Sequence, residues 1–415
     1  MGTVVGLRCR NCGAARDKAP VSACAECFGL LEPVYDKDKV RAGFTRDAIE
    51  RRPRDLWRYH ELLPLDGEPT VGRGTGFTPL LKAPRLGERL GIRDLWIKYD
   101  AANHPTLSFK DRLVAVALSK AKEFGISTVG CASTGNLANA VAAGAAAGGL
   151  RAVILVPEDL EKAKIFGTAV FGATLVGVRG NYDRVNRLCG EIADAYGWGF
   201  VNVNLRPFYG EGSKTVGYEI AEQSGWALPG HVVSPMAGAS LITKVEKAFR
   251  ELVDLGLVKD RAFKIHGAQA TGCAPVVRAF QSGANEVRPV KPNTIVRSLA
   301  IGDPADGPYA LQTMRRTGGS AASAEDPEVI ECIKLLAETE GLFGETAGGT
   351  VVASARKLAK EGAFDDGEPV VLLITGHGLK TVEALSAEPT FATVIDGRLD
   401  EFAAFWKDGA SERVA

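Results

Sequence analysis

The chain has 415 residues, more than one compact domain usually holds, and 46% hydrophobic against 24% charged residues excludes wholesale disorder. Its 50 Lys+Arg cancel its 50 Asp+Glu, so no whole-molecule field recruits nucleic acid or an anionic membrane. Eight cysteines are too few for a disulfide scaffold at this length, and the most apolar stretch, Leu137 to Leu150, falls short of the ~20 residues of a membrane span.

No basic, apolar leader opens the chain, and a cytoplasmic, reduced protein is expected. The first feature is Cys9, Cys12, Cys24 and Cys27, two C-x2-C pairs separated by 11 residues. Two such pairs can wrap four thiolates around one tetrahedral Zn²⁺, and four protein ligands leave no open position, so the metal would be structural. Gly13 and Gly29 follow the two pairs and free the backbone for tight knuckles. Disulfides, metal-free thiols and a nucleic-acid-binding ribbon are the alternatives. Residues 1–60 carry 12 Lys+Arg against 8 Asp+Glu, which favours the last only weakly.

From Phe44 to Trp57 the pattern predicts a short helix capped by Thr45 and stopped near Pro53. Beyond about residue 95, β-branched runs alternate with amphipathic segments. Thr128–Cys131 precedes Asn136–Gly149, Ala152–Val156 precedes Leu160–Phe171, and Thr174–Val178 precedes Tyr182–Tyr196. Phe200–Val203, His231–Val233, Phe263–Gln269 and Val370–Ile374 continue the series. Strands alternating with helices predict βαβ units and largely parallel sheets. Residues from Lys407 onward are polar and are expected to fray.

Within His104–Arg112, Ser108 and Asp111 read as a capping box that opens a helix. Lys110 then sits in the first turn, where the positive helix end disfavours a cation. In a dry site its neutral amine, the form that attacks a carbonyl, becomes accessible. A solvated lysine is the ordinary alternative, and only neighbours change that reading.

Three strand-to-helix junctions supply neighbours. Ala132-Ser133-Thr134-Gly135-Asn136 offers backbone N–H groups, hydroxyls and an amide to an anion. Met236-Ala237-Gly238-Ala239-Ser240 is a small-residue loop that a phosphate can approach, without a Walker ending. Thr375-Gly376-His377-Gly378 places a hydroxyl at the carboxyl end of a strand, where α/β proteins bind ligands.

Together, Ser-Phe-Lys-Asp-Arg at 108–112, Ser-Thr-Gly-Asn at 133–136 and Thr-Gly-His-Gly-Leu-Lys at 375–380 resemble the fold-type II pyridoxal-phosphate enzymes, and more narrowly the threonine synthase family. Asn204–Tyr209, Glu211–Thr215 and Gly272–Phe280 add to the likeness, which runs from the ribbon to about residue 385. It implies a two-lobed α/β fold like the tryptophan synthase β chain, with a zinc-ribbon-like extension at 1–35. The large lobe would comprise 36–105 and 206–395, the small lobe 106–205, and 396–415 a tail. Pyridoxal phosphate would lie between lobes that close over substrate, and a homodimer would be the assembly.

On that resemblance Lys110 holds the cofactor covalently, beside Phe109. Asn136 bonds its 3-oxygen, Met236 to Ser240 cradle its phosphate, and Thr375 faces its ring nitrogen, leaving that nitrogen largely unprotonated. Ser133 and Thr134 hold the substrate carboxylate or phosphate, while Arg206 and Lys214 meet the substrate phosphate. Ala237 and Ala239 stand where relatives favour glycine, which leaves the loop's shape open. The implied reaction takes O-phosphohomoserine and water to threonine and phosphate. The alternatives are β-replacement on a phosphoserine-like substrate, as in cysteate synthase, a threonine or serine dehydratase, and a zinc-ribbon binding module without catalysis. His60, His231 and His266 read as structural, His377 as packing beside Thr375, and His104 as a residue that could line the site. Cys131, Cys189, Cys273 and Cys332 read as buried thiols.

Overall fold

The structure, a computed structural model, describes residues 2–133, 135–158, 162–179, 182–385 and 391–409. Strand Val4–Cys9 is flanked antiparallel by Ala15–Arg16 and Leu31–Tyr35. This small sheet does not stand apart. Leu7, Cys9, Cys24 and Leu31 share a core with Val114, Ala117 and Leu118 of helix Lys110–Glu123 and with Ala140 and Val141 of helix Asn136–Gly148. Burial of Leu7 and Leu31 alone contributes about 1.5–3 kcal/mol each towards holding the ribbon there.

A four-stranded parallel sheet runs in the order Thr174–Val178, Arg151–Pro157, Thr128–Ala132, Gly199–Phe200. A six-stranded sheet runs Ala321–Ala324, Lys264–Ala270, His231–Pro235, Val370–Ile374, Leu95–Tyr99, Leu80–Lys82, all parallel except the last. His231–Pro235 and Val370–Ile374 are buried along their whole length, as a parallel sheet covered on both faces requires. Ile242, Val245 and Phe249 of helix Ser240–Asp254 cover one face. Helices Asp326–Glu340 and Thr346–Lys360 cover the other through Ile333, Leu336, Val351 and Leu358.

Helix Lys110–Glu123 is anchored between the sheets. The fully buried Arg112 meets Asp100 at 2.7 and 2.8 Å and Glu219 at 2.8 Å, and Lys98 adds a 2.6 Å contact to Glu219. Paired and hydrogen-bonded in this way, the buried charges fix the direction in which the helix begins.

Thr45 does cap a helix, Arg46–Glu50, accepting from the Ala48 N–H at 3.2 Å. The predicted strand Phe200–Val203 is shorter, Gly199–Phe200: beyond it the Asn202 side chain, rather than backbone, pairs with the N–H and carbonyl of Ala132 on the neighbouring strand, at 3.2 and 3.1 Å. Part of the expected tail is ordered, since Leu399–Gly409 forms a helix. Among the described residues, no helix is long and apolar enough to cross a membrane.

Candidate active site

The carboxyl ends of the strands Thr128–Ala132, His231–Pro235 and Val370–Ile374 open onto one cavity of 380 Å³. That volume lies within the ~300–1,000 Å³ range of cofactor and small-ligand sites. Lys110, Phe109, Ser133, Asn136, Ala237 to Ser240, Arg206 and Thr375 all line it. Thr134 lies outside the described residues.

Lys110 is the first residue of its helix, but not through the capping box expected from sequence. The Asp111 carboxylate reaches back to the N–H groups of Thr106 and Ser108, at 3.1 and 3.4 Å, while the Ser108 hydroxyl is buried without a partner. What sets the turn is the Phe109 N–H donating to the Thr375 carbonyl at 2.9 Å, which ties the lysine to the end of the central strand. The Lys110 Nζ lies 4.5 Å from the Phe109 ring centroid and makes no hydrogen bond or ion pair among the described residues. Burial pulls its pKa down to about 8, and the nearby Glu345 carboxylate partly offsets this. An amine in that range is poised for covalent chemistry at neutral pH.

Glu345 had no signal in the sequence. It precedes helix Thr346–Lys360, and its two oxygens accept from the Asn136 amide at 2.9 and 3.0 Å across 209 positions of chain. Burial raises its pKa, and the Asn136 amide opposes the rise. Gly376 is needed beside it, because a Cβ there would overlap the Glu345 carboxylate. The other amide atom, Asn136 Oδ1, is buried with no hydrogen-bond partner among the described residues.

The Ser133 hydroxyl oxygen already accepts from Gly135 and Ala138 N–H groups at 3.0 and 3.1 Å, so only its proton remains for a ligand. In the small-residue loop, the N–H groups of Ala237, Gly238 and Ala239 donate to no protein group among the described residues. Ala239 nonetheless takes φ 66°, ψ 15°, the left-handed conformation that glycine adopts without strain. Met236 departs from expectation. Its side chain is fully buried in the large core and its N–H extends the sheet to Ala268 at 2.9 Å, so it offers the cavity nothing.

Lys214 departs further. It is fully buried between Glu211 and Glu251, at 2.7 and 3.1 Å, and does not line the cavity. Arg206 does line it, paired with Asp306 at 2.5 Å. His104 is exposed and lies outside the cavity, and His377 packs its ring against Phe343. His231 and His266 pair on adjacent strands of the six-stranded sheet, Nδ1 to Nε2 at 3.0 Å, and burial pushes His266 down to about 3. All eight cysteines are free, and Cys131, Cys189, Cys273 and Cys332 are buried.

The cavity suits pyridoxal phosphate on two counts: a desolvated amine with no hydrogen bond or ion pair among the described residues, and three backbone donors, likewise unpaired among them, ahead of a helix N-terminus. In the ribbon, the four Sγ atoms lie within 4.8 Å of one another. Cys9–Cys27 and Cys12–Cys24 separations of 3.4 and 3.8 Å sit close to the ~3.8 Å edge of a tetrahedron with 2.3 Å Zn–S bonds. Gly29 is needed there, since a Cβ would come within 2.8 Å of the Cys9 sulfur.

A family model described as "Pyridoxal-phosphate dependent enzyme" matches residues 71–376, and solved structures agree on the fold. Diaminopropionate ammonia lyase from Escherichia coli superposes with TM-score 0.64 at 17% identity, covering 82% of this chain and 91% of that one. Threonine deaminase isoform 2 from Solanum lycopersicum superposes with TM-score 0.62 at 21% identity, covering 75% and 88%. Fold and site thus define a fold-type II pyridoxal-phosphate enzyme. Threonine synthase of Methanocaldococcus jannaschii is 37% identical over 380 residues, 91% of this chain and 93% of its own. That of Methanosarcina acetivorans is 37% identical over 401 residues, 95% and 96% respectively. The chain belongs to the threonine synthase family.

Proposed function

We propose that this chain converts O-phosphohomoserine and water into L-threonine and inorganic phosphate. The reaction removes the α proton and one β proton, expels the γ-phosphate, returns a proton to the γ carbon, and adds water as a hydroxyl at the β carbon and a proton at the α carbon. Pyridoxal phosphate, when bound, supplies the electron sink at the α carbon. The observation that carries the proposal is the Lys110 amine, desolvated and unpaired in a cavity that also holds the unpaired donors of Ala237 to Ala239.

Each residue takes a part. Lys110 would hold the cofactor and, when its amine is free, would carry protons at its Nζ among the α, β and γ carbons. Ala237, Gly238 and Ala239 hold the cofactor phosphate at the start of helix Ser240–Asp254. Asn136 is aimed by Glu345 toward the cofactor's 3-oxygen, and the Thr375 hydroxyl meets the ring nitrogen. Ser133 donates its remaining proton to the substrate carboxylate, and Arg206 meets the substrate phosphate. The four ribbon thiolates would hold a structural zinc, and four further cysteines kept as free thiols suit a reducing cytoplasm.

Phosphate release measured with O-phosphohomoserine against O-phosphoserine tests this. Threonine and phosphate in equal amounts from the first, with little release from the second, is the expected result. Faster release from phosphoserine overturns the substrate assignment.

A further inference from the structure

Lys214 sits outside the cavity, so Arg206 is left without the second cation expected for a substrate dianion. Besides Lys110 and Arg206, two further cations line the cavity: Lys244, whose Nζ is taken by Glu32 and Glu211 at 2.6 and 2.8 Å, and an arginine from the ribbon that stands beside Arg206. Arg10 lies between Cys9 and Cys12, on the first cysteine knuckle, and lines the same cavity as Lys110 and Arg206. Its Nη1 meets one oxygen of Asp306 at 2.8 Å, and the Arg206 Nη2 meets the other at 2.5 Å. One carboxylate therefore holds two guanidinium groups side by side. Rigid planar forks so held match the oxygens of a phosphate.

The position of Arg10 is fixed from several sides. Its guanidinium stacks 3.6 Å from the Tyr309 ring centroid, and the neighbouring Asn11 accepts from the Tyr309 hydroxyl. Its backbone N–H donates to Leu30 at 2.9 Å, and its Nε lies 3.4 Å from Glu32. The Arg10 Nη2 keeps its donors, with no hydrogen bond to protein among the described residues.

Two hydroxyls independently point to a ligand here. The Ser213 Oγ follows helix Arg206–Glu211, and the Ser298 Oγ lies on the segment leading to Asp306. Both oxygens are buried and have no hydrogen-bond partner among the described residues, and both residues line the cavity. Buried polar atoms left unpaired in this way commonly await a bound group.

We infer that Arg10, delivered by the cysteine knuckle, joins Arg206 as the recognition pair for the substrate's distal phosphate, which makes the ribbon a specificity-determining wall of the active site. This rests on the proposed use of a phosphorylated amino acid. A cation carried by the small N-terminal sheet would let the enzyme separate phosphorylated substrates from the unphosphorylated amino acids that share their other end.

The test compares holoenzymes of wild type, Arg10→Gln and Arg10→Lys, with Arg8→Ala, an exposed residue on the strand that leads into the knuckle, as control. In Arg10→Gln the KM for O-phosphohomoserine should rise at least tenfold with kcat changed less than threefold. Inorganic phosphate binding by calorimetry should weaken by a similar factor. Binding of L-threonine, followed by the absorbance of the bound cofactor, should change less than twofold. Arg10→Lys should recover part of the loss, and Arg8→Ala should match wild type. Unchanged KM and phosphate binding in Arg10→Gln overturns the inference, as does an equal loss for L-threonine, which would mean general damage to the site. Should wild type bind the cofactor yet release no phosphate from O-phosphohomoserine, the substrate proposal fails by itself, and phosphate binding alone still decides the role of Arg10.

Discussion

Asn136 and Glu345 meet across the cavity wall, amide to carboxylate at 2.9 and 3.0 Å, and the same carboxylate acts on the amine of Lys110. One buried acid thus orients an amide and sets the charge beside the reactive nitrogen. Its raised pKa follows from the burial that brings the three groups together.

Glu345→Gln removes a negative charge that favours protonated Lys110. The lysine pKa, already lowered to about 8 by burial, should fall further. Only the neutral amine captures the cofactor, so the rate of pyridoxal phosphate uptake by apoprotein rises as pH rises through that pKa. The expected result is a midpoint near pH 8 in wild type and a lower one in Glu345→Gln. A midpoint that stays put or moves up contradicts the assigned coupling.

Ala239 holds a left-handed conformation that costs an L-residue about 1–2 kcal/mol. Ala239→Gly relieves that strain but frees the unfolded chain, at a cost of about 0.4–1 kcal/mol. Strain relief outweighs that entropic cost, so urea unfolding should show a gain on the order of 0.5–1 kcal/mol, with cofactor affinity retained. A loss of stability would mean the Ala239 methyl is needed where it packs.

Lys214→Met separates a structural lysine from a substrate-binding one. Removing the cation leaves Glu211 and Glu251 without one of their buried partners, which costs on the order of 3–5 kcal/mol. Denaturant midpoints should fall accordingly, while the KM of the folded fraction for O-phosphohomoserine stays within about twofold of wild type. A raised KM without lost stability would return Lys214 to the substrate site.

The alternating strands and helices were legible because period-2 and period-3.6 patterns act within a dozen residues. Thr174–Val178, Tyr182–Tyr196 and Val370–Ile374 have the limits expected from sequence. Lys110, Asn136 and Thr375 were legible because short junctions carry their residue types together. Glu345 and Arg10 were not, because each acts through a partner more than two hundred positions away, Asn136 and Asp306 respectively. Lys214 misled for the same reason. A lysine near a phosphate motif has no local mark that distinguishes a cavity cation from one neutralised by Glu251 on another helix. Met236 misled because loop composition does not reveal which N–H the sheet has already taken.

The proposed covalent role of Lys110 underlies every other assignment in the site. Holoprotein reduced with borohydride, digested and read by mass spectrometry reports directly which lysine carries the cofactor. The pyridoxyl phosphate mass should appear on the peptide containing Lys110 and on no other, and Lys110→Ala should lose both that adduct and the visible absorbance of the native protein. An adduct on another lysine, or wild-type protein that stays colourless in excess pyridoxal phosphate, would contradict that role.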